Sequence, residues 1–300
     1  MRITDKVIQN RIINGLKQSA QKLSKTHSRI ATMKNLTRPS DDPIGSAKIM
    51  GNYKNLYKVQ QTIRNCENSL SLLNYTDFIA EKVGDIIFDA KNGATTMASD
   101  TVSEDARKTF ASEIGIMIDQ MLKLANTEFT GKRIFSGHKV IEDSYVKDAD
   151  GNIEYAGDQG EIKQRVELGD QTMTVNVPGT MLFGQGTVEG GIFKVLNDLK
   201  NALESNNTTE INGTLSHFDE ELNRLGMVRG EIGVKIIRTQ SSMDELQTLE
   251  LSLKNEISKV EDVDMAEEAG TFIADQEAYQ AALQAAVTIL KLPKLTDYLS

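Results

Sequence analysis

Apolar residues recur in 3-4 alternation along most of this chain, and that spacing admits little besides long helices packed side by side. The longest run passes through Leu215, Phe218, Leu222, Leu225, Arg229, Ile232, Ile236, Thr239, Met243, Leu246, Glu250, Leu253, Ile257 and Val260. A second passes through Leu56, Val59, Ile63, Cys66, Leu70, Leu73, Asp77, Ala80, Gly84 and Ile87. A shorter one joins Phe110, Ile114, Met117, Met121 and Leu124. At about 1.5 Å per residue the longest helix would reach roughly 65–70 Å. Tryptophan is absent and there are only four prolines, a composition for helices rather than for a thick globular core. The expected fold is mainly α: an elongated, rod-like helical bundle.

The two ends complement each other. Residues 1–40 carry nine basic side chains against one acid, a sum of +8, while residues 256–300 carry nine acids against three lysines, a sum of −6. Each end also has an apolar stripe at helical spacing. The first runs Ile3, Val7, Ile12, Leu16, Ala20, Leu23, Ile30; the last runs Met265, Ala269, Phe272, Gln276, Tyr279, Leu283, Ala286, Leu290. Amphipathic helices of opposite charge with matched apolar faces are expected to pair as a coiled coil. Such a pair leaves outer faces to be buried by neighbouring copies, and alone it is expected to be largely disordered in the free monomer.

Breaks in the pattern divide the chain. In Arg38-Pro39-Ser40-Asp41-Asp42-Pro43, Pro39 cannot sit inside a helix, and Asp42 followed by Pro43 is an N-cap ahead of a favoured first helical residue. Near the other end the heptad phase slips across Glu261-Asp262-Val263-Asp264. Between them, residues 131–191 hold eleven of the 22 glycines, with β-favouring runs at 133–136 and 173–177. Tyr145-Val146-Lys147 and Ile153-Glu154-Tyr155 flank Asp148-Ala149-Asp150-Gly151-Asn152 as a hairpin. The expected division is a terminal coiled coil of 1–43 with 258–300, a helical bundle of 44–130 with 192–257, and a small β-rich tip of 131–191.

Chemistry is scarce. Asp148, Asp150 and Asn152 imitate the opening of a calcium loop, but Ile153 stands where that loop needs glycine and Gln159 where it needs a bidentate acid. His27, His138 and His217 have no metal spacing, and Gly184-Gln185-Gly186 lacks the rest of any phosphate-binding fingerprint. Cys66 sits on a heptad slot as a small core residue and cannot form an intrachain disulfide, being the single cysteine. Residues 41–300 sum to −17, which disfavours nucleic acid, and no run of about 18 apolar residues spans a membrane. The basic, serine-bearing start is transit-like in composition, yet a transit segment has no reason to match the far end in phase and charge. The reading is therefore not an enzyme, with no cofactor and no metal.

On these residues the chain resembles the hook-associated protein 3 family of the bacterial flagellin superfamily. Met1-Arg2-Ile3-Thr4 and Arg38-Pro39-Ser40-Asp41-Asp42-Pro43 look like that family's opening and first loop. Gly131 to Gly137, Tyr155-Ala156-Gly157-Asp158 and Asn176-Val177-Pro178-Gly179 resemble its central β-rich segment, and Ser258 to Ala266 with Leu295 to Leu299 its close. Met33 stands where the family usually has a glycine, and Pro293 interrupts its usual final stretch.

The resemblance implies a structural subunit exported unfolded through the flagellar type III apparatus. A ring of copies would sit at the hook–filament junction, between the first hook-associated protein and flagellin. The assembly interface would comprise Ile3, Val7, Ile12, Leu16, Leu23, Ile30, Met265, Phe272, Tyr279, Leu283 and Leu290, with residues 38–43 as the domain-junction loop. An export chaperone would hold Phe272, Tyr279, Leu283 and Leu290. Filament flagellin is the nearest alternative; a cytosolic coiled-coil adaptor is the alternative of another class.

Overall fold

The computed structural model describes residues 2–291 except Asp150, Asp170, Gln171 and Glu189; the side chains of residues 2–6, 8 and 289–291 lie outside that description. The elements in chain order are α1 (Arg2–Thr32), α2 (Pro43–Met97), α3 (Glu104–Ala125), β1 (Glu128–Phe129), β2 (Lys132–Arg133), β3 (Tyr145–Lys147), β4 (Ile153–Tyr155), β5 (Lys163–Gln164) and β6 (Met173–Thr174). A short α4 (Gly179–Leu182), β7 (Gly184–Gly186), β8 (Gly190–Gly191), α5 (Ile192–Glu204), α6 (Thr208–Glu261) and α7 (Met265–Lys291) complete the chain. The chain is mainly α with small antiparallel sheets. It forms two compact units, residues 1–58 with 249–300 and residues 59–248.

The larger unit buries the seams legible in the sequence. On α2, Val59, Ile63, Cys66, Leu73, Ala80 and Ile87 are buried, and on α6, Phe218, Leu225, Ile232, Thr239 and Leu246. The odd residues of those seams meet one another. Arg229 of α6 donates to Asp77 of α2 through Nε at 2.9 Å and Nη2 at 3.1 Å. Gly84 faces Leu225, whose Cδ2 would lie 3.1 Å from any Cβ placed there. A polar pair and a small residue thus sit where apolar side chains were the rule.

Helix α5 was not singled out as a separate element by the sequence reading, although its Ile192, Val195, Leu196, Leu199 and Leu203 keep helical spacing. These residues and Phe193 are all buried, and the helix packs along α3. Nearby, the buried Arg107 of α3 donates to Met97 O at 3.0 Å, to Ser99 O at 2.9 Å and to Asn206 Oδ1. No carboxylate takes part in these bonds; carbonyls at the C-terminal end of α2, where the helix dipole is negative, face the cation.

Among the described residues the β-rich part has three small antiparallel sheets, the largest in the order β3-β4-β7-β8. Its hairpin turn closes as the Asp-Asn chemistry predicts: Asp148 N donates to Asn152 O at 2.8 Å, and Asn152 N to Asp148 Oδ1 at 2.7 Å. Asp150 lies outside the described residues. Tyr145 is the centre of an aromatic cluster with Tyr155, Phe183 and Phe193, at ring-centroid distances of 5.1, 5.7 and 5.3 Å. Its hydroxyl donates to Gly184 O at 2.5 Å, which satisfies the buried oxygen. Burial pushes the Tyr145 phenol far up, and that of Tyr155 up to about 12.

Candidate assembly interface

In the smaller unit α1 packs along α7. The helices that follow the two connections, α2 and α7, begin from turns that the sequence specifies. Asp42 Oδ1 accepts from Ile44 N at 3.1 Å and Gly45 N at 3.0 Å, capping α2 with Pro43 as its first residue. A Cβ at position 45 would lie 2.3 Å from Asp42 Oδ2, so any larger residue would displace the capping carboxylate. Asp264 caps α7 in the same way, accepting from Ala266 N at 2.9 Å and Glu267 N at 3.3 Å. Of the remaining loop residues, Arg38 O accepts from Asp41 N at 3.0 Å, and Lys25 pairs with Asp41 at 3.6 Å. Arg38, Pro39, Ser40 and Asp41 are exposed.

The two connections, α1 to α2 and α6 to α7, are tied to each other at Glu261. Its backbone carbonyl accepts from Asn35 N at 2.6 Å, and Val263 N donates to Met33 O at 3.2 Å. Its carboxylate accepts from Tyr53 OH at 2.7 Å and from Lys34 Nζ. Burial pushes the Glu261 carboxyl up, but the hydrogen bonds from Lys34 and Tyr53 outweigh it and leave the group below the usual carboxylate range. Met33, at the end of α1, adopts a left-handed backbone with φ 56°, a conformation that suits the glycine its position usually carries in the resembled family.

The seam between α1 and α7 is partly polar. On α1 the residues Ile12, Leu16, Ser19, Leu23 and Ile30 are half-buried and Thr26 is buried. On α7, Glu268 and Ala286 are buried, and Phe272, Asp275, Tyr279 and Ala282 half-buried. Thr26 Oγ1 donates to Asp275 Oδ2 at 2.7 Å, Arg29 pairs with Glu268 at 3.5 Å, and His27 lies 6.1 Å from the Phe272 ring. A base of α1, Arg29, thus meets an acid of α7, Glu268, beside the Thr26–Asp275 hydrogen bond.

A second apolar seam on α7 stays uncovered. Met265, Ile273, Leu283 and Val287 are exposed, as are Ala269 and Gln276. Beside it runs an open groove lined by Ala20, Leu23, Ser24, His27, Phe272 and Tyr279. Among the described residues of α1 and α7, no Val, Leu, Ile, Met, Phe or Tyr is fully buried. Val7 and Ile13 of α1 and Met265, Ile273, Leu283 and Val287 of α7 are each more than 40% exposed.

The structure thus distributes the residues singled out in the sequence. Ile12, Leu16, Leu23, Ile30, Phe272 and Tyr279 meet at the α1–α7 seam; Val7, Met265 and Leu283 face solvent. The side chains of Ile3 and Leu290, and residues 292–300 with Pro293, lie outside the described residues. Sequence reasoning passed over Glu268, Asp275 and Ala282, because Phe272, Tyr279 and Ala286 belong to both 3-4 alternations on α7. The signal was charge: acids on this face of α7 stand across from Thr26 and Arg29 of α1.

Residues 3–140 match the bacterial flagellin N-terminal helical region, and residues 215–299 match the bacterial flagellin C-terminal helical region. Flagellar hook-associated protein 3 of Salmonella typhimurium is 26% identical over 94% of this chain and 95% of its own length. The chain belongs to the flagellin superfamily, in its hook-associated protein 3 type. Flagellin of Bacillus subtilis is 24% identical over 94% of each chain. The crystal structure of hook-associated protein 3 from Legionella pneumophila shares the fold with a TM-score of 0.64 at 15% identity, covering 71% of this chain and 98% of that one.

Membership in this family makes the chain a structural flagellar protein. The two matched helical regions contain α1 and α7, the helices that pair here. Among the described residues no group of three or more His, Cys, Asp or Glu could hold a metal ion, and no helix is long and apolar enough to cross a membrane.

Proposed function

We propose that the protein is an adaptor at the hook–filament junction, a ring of copies between the first hook-associated protein and flagellin. One observation carries this reading: among its described residues the α1–α7 pair buries none of its large apolar side chains completely and leaves Met265, Ile273, Leu283 and Val287 of α7 exposed. A helix with two seams is made to be packed on two sides. The interface comprises Ile12, Leu16, Leu23, Ile30, Phe272 and Tyr279 inside the pair. Val7, Met265 and Leu283 make contacts to neighbouring copies, and Ile3 and Leu290 extend the two ends of the same stripes. The activity is assembly, not catalysis, and no cofactor takes part.

The working division is a terminal coiled coil (1–43, 258–300), a bundle (44–130, 192–257) and a β-rich tip (131–191), with residues 38–43 as the junction loop. In the free monomer residues 1–43 and 258–300 are largely disordered and fold on assembly. Before export through the flagellar type III apparatus, a chaperone covers Phe272, Tyr279, Leu283 and Leu290. Strong hydrogen-exchange protection of the termini in the isolated monomer would contradict the first of these statements.

Deletion of the gene tests the function. Cells that build hooks but shed unpolymerised flagellin into the medium support the junction; cells with normal filaments refute it. A second reading, that the chain is a filament subunit, draws on its similarity to flagellin of Bacillus subtilis. It requires instead that no flagellin be found in the medium of the deletion strain.

A further inference from the structure

Both long helices carry a second 3-4 seam on their solvent side. On α6 it runs Glu220, Asn223, Met227, Gly230, Val234, Ile237, Ser241, Asp244, and every one of these residues is exposed. Its apolar centre is unusually bare: Met227 is 71%, Val234 66% and Ile237 72% exposed. On α2 the outward seam runs Ala47, Met50, Lys54, Tyr57, Gln61, Arg64, again all exposed, with Met50 at 67% and Tyr57 at 65%. Heptad spacing of large apolar side chains on a face that meets water has no role within one chain. It is the spacing of a helix that will be packed by another helix.

The charges select the partner. At its seam positions α6 has two acids, Glu220 and Asp244, and no base, while the α2 seam has two bases, Lys54 and Arg64, and no acid. An antiparallel pairing of two α6 seams would set Glu220 of one copy against Asp244 of the other. A pairing of two α2 seams would oppose Lys54 and Arg64 to one another. Each seam repels its own copy and attracts the other kind. Gly230, near the middle of the α6 seam, adds room, since a Cβ there would meet nothing within 4 Å.

We infer that the outward seam of α2 in one copy docks on the outward seam of α6 in the next, a head-to-tail contact between second copies of this chain. Because the two patches differ, the contact propagates instead of closing on a pair, as a ring of identical copies requires. The inference rests on the self-assembly reading above and adds to it which faces meet.

Two full-length variants test it, Tyr57→Cys and Gly230→Cys, one near the middle of each seam. The native Cys66 is fully buried and stays out of reach. Each variant is concentrated alone and in mixture, then treated with a short bismaleimide. A cross-linked dimer in the mixture and in neither variant alone supports the contact; a dimer from one variant alone means like-to-like pairing and overturns it. A parallel readout compares Lys54→Glu/Arg64→Glu and Val234→Lys/Ile237→Lys chains for melting midpoint and recovery in sheared flagella. All four residues are exposed, so the midpoint should hold while recovery is lost, even where solution cross-linking is too weak to see. Wild-type recovery of both variants with no mixed dimer overturns the inference and leaves the junction reading intact. Mixed dimers from a chain absent from the hook–filament junction of wild-type flagella would retain the contact and remove the junction reading.

Discussion

Arg229 of α6 holds Asp77 of α2 in a two-point hydrogen bond, Nε to Oδ1 at 2.9 Å and Nη2 to Oδ2 at 3.1 Å. Each residue is an exception in its own apolar seam, and the exceptions coincide. The hydrogen bond to Asp77 raises the already high Arg229 pKa, and Glu81, 3.4 Å from the same guanidinium, adds to it. The fork fixes the axial register of the two helices, because a one-turn slip of about 5.4 Å would separate the pair.

The Asp77–Arg229 pair is about one-third exposed, so solvent screens it. Its coupling energy should be about 1 kcal/mol. A double-mutant cycle with Asp77→Ala and Arg229→Ala, read by urea unfolding, measures it; additive effects of the two substitutions would count against a role in register.

Met33→Gly should stabilise the smaller unit by about 1 kcal/mol, because the left-handed φ of 56° strains any residue with a Cβ. Met33 is exposed, so little packing is lost. A raised melting midpoint for the transition of that unit is the expected result; an unchanged or lower midpoint would show that the methionine side chain compensates.

Arg107→Met should destabilise the larger unit by about 3 kcal/mol. It leaves the carbonyls of Met97 and Ser99 and the Asn206 amide oxygen without their donor inside the protein. Denaturant unfolding gives the value. Arg107→Lys should recover only part of it, since an ammonium cannot span three acceptors set for a guanidinium fork.

The Glu261 knot gives the smaller unit a pH dependence on both sides. The folded carboxyl titrates below its unfolded value of about 4.3, so its contribution is present above that pH and is lost as pH falls through the folded value. Lys34 is raised, by its hydrogen bond to Glu261 in the first place, and Tyr53 is raised by the same partner. Their contribution is present below about pH 10 and is lost on further rise. Glu261→Gln should flatten the acid limb that opens as pH falls below the unfolded carboxyl value of about 4.3. Hydrogen exchange of residues 43–57 and 249–257, which flank the Tyr53–Glu261 contact, reads the difference across that range; equal pH profiles for the two chains would remove Glu261 from the account.

Where charge and period agreed, the sequence was read in place: Asp42 before Pro43 caps α2, Tyr145–Lys147 faces Ile153–Tyr155, and the seams of α2 and α6 are buried as spaced. Where two periods overlapped, it was not. On α7 the residues Phe272, Tyr279 and Ala286 serve either seam, and only the position of α1 separates the covered face from the bare one. Helix α5 was missed as an element because thirteen residues between glycines and Asn206-Asn207 offer few turns of period to count.

The one-dimensional pattern of apolar spacing and charge determined that this chain makes long helices, that its two ends attract, and that a glycine-rich β segment interrupts them. These follow from local periodicity and from net charge, which need no neighbour to be defined. Tertiary structure decided which exception meets which, Asp77 with Arg229 and Glu261 with Tyr53 and Lys34, and which of two equivalent apolar faces is left to solvent. Those outcomes depend on the axial and rotational setting of one helix against another, and many settings satisfy the same heptad until a few polar groups select one.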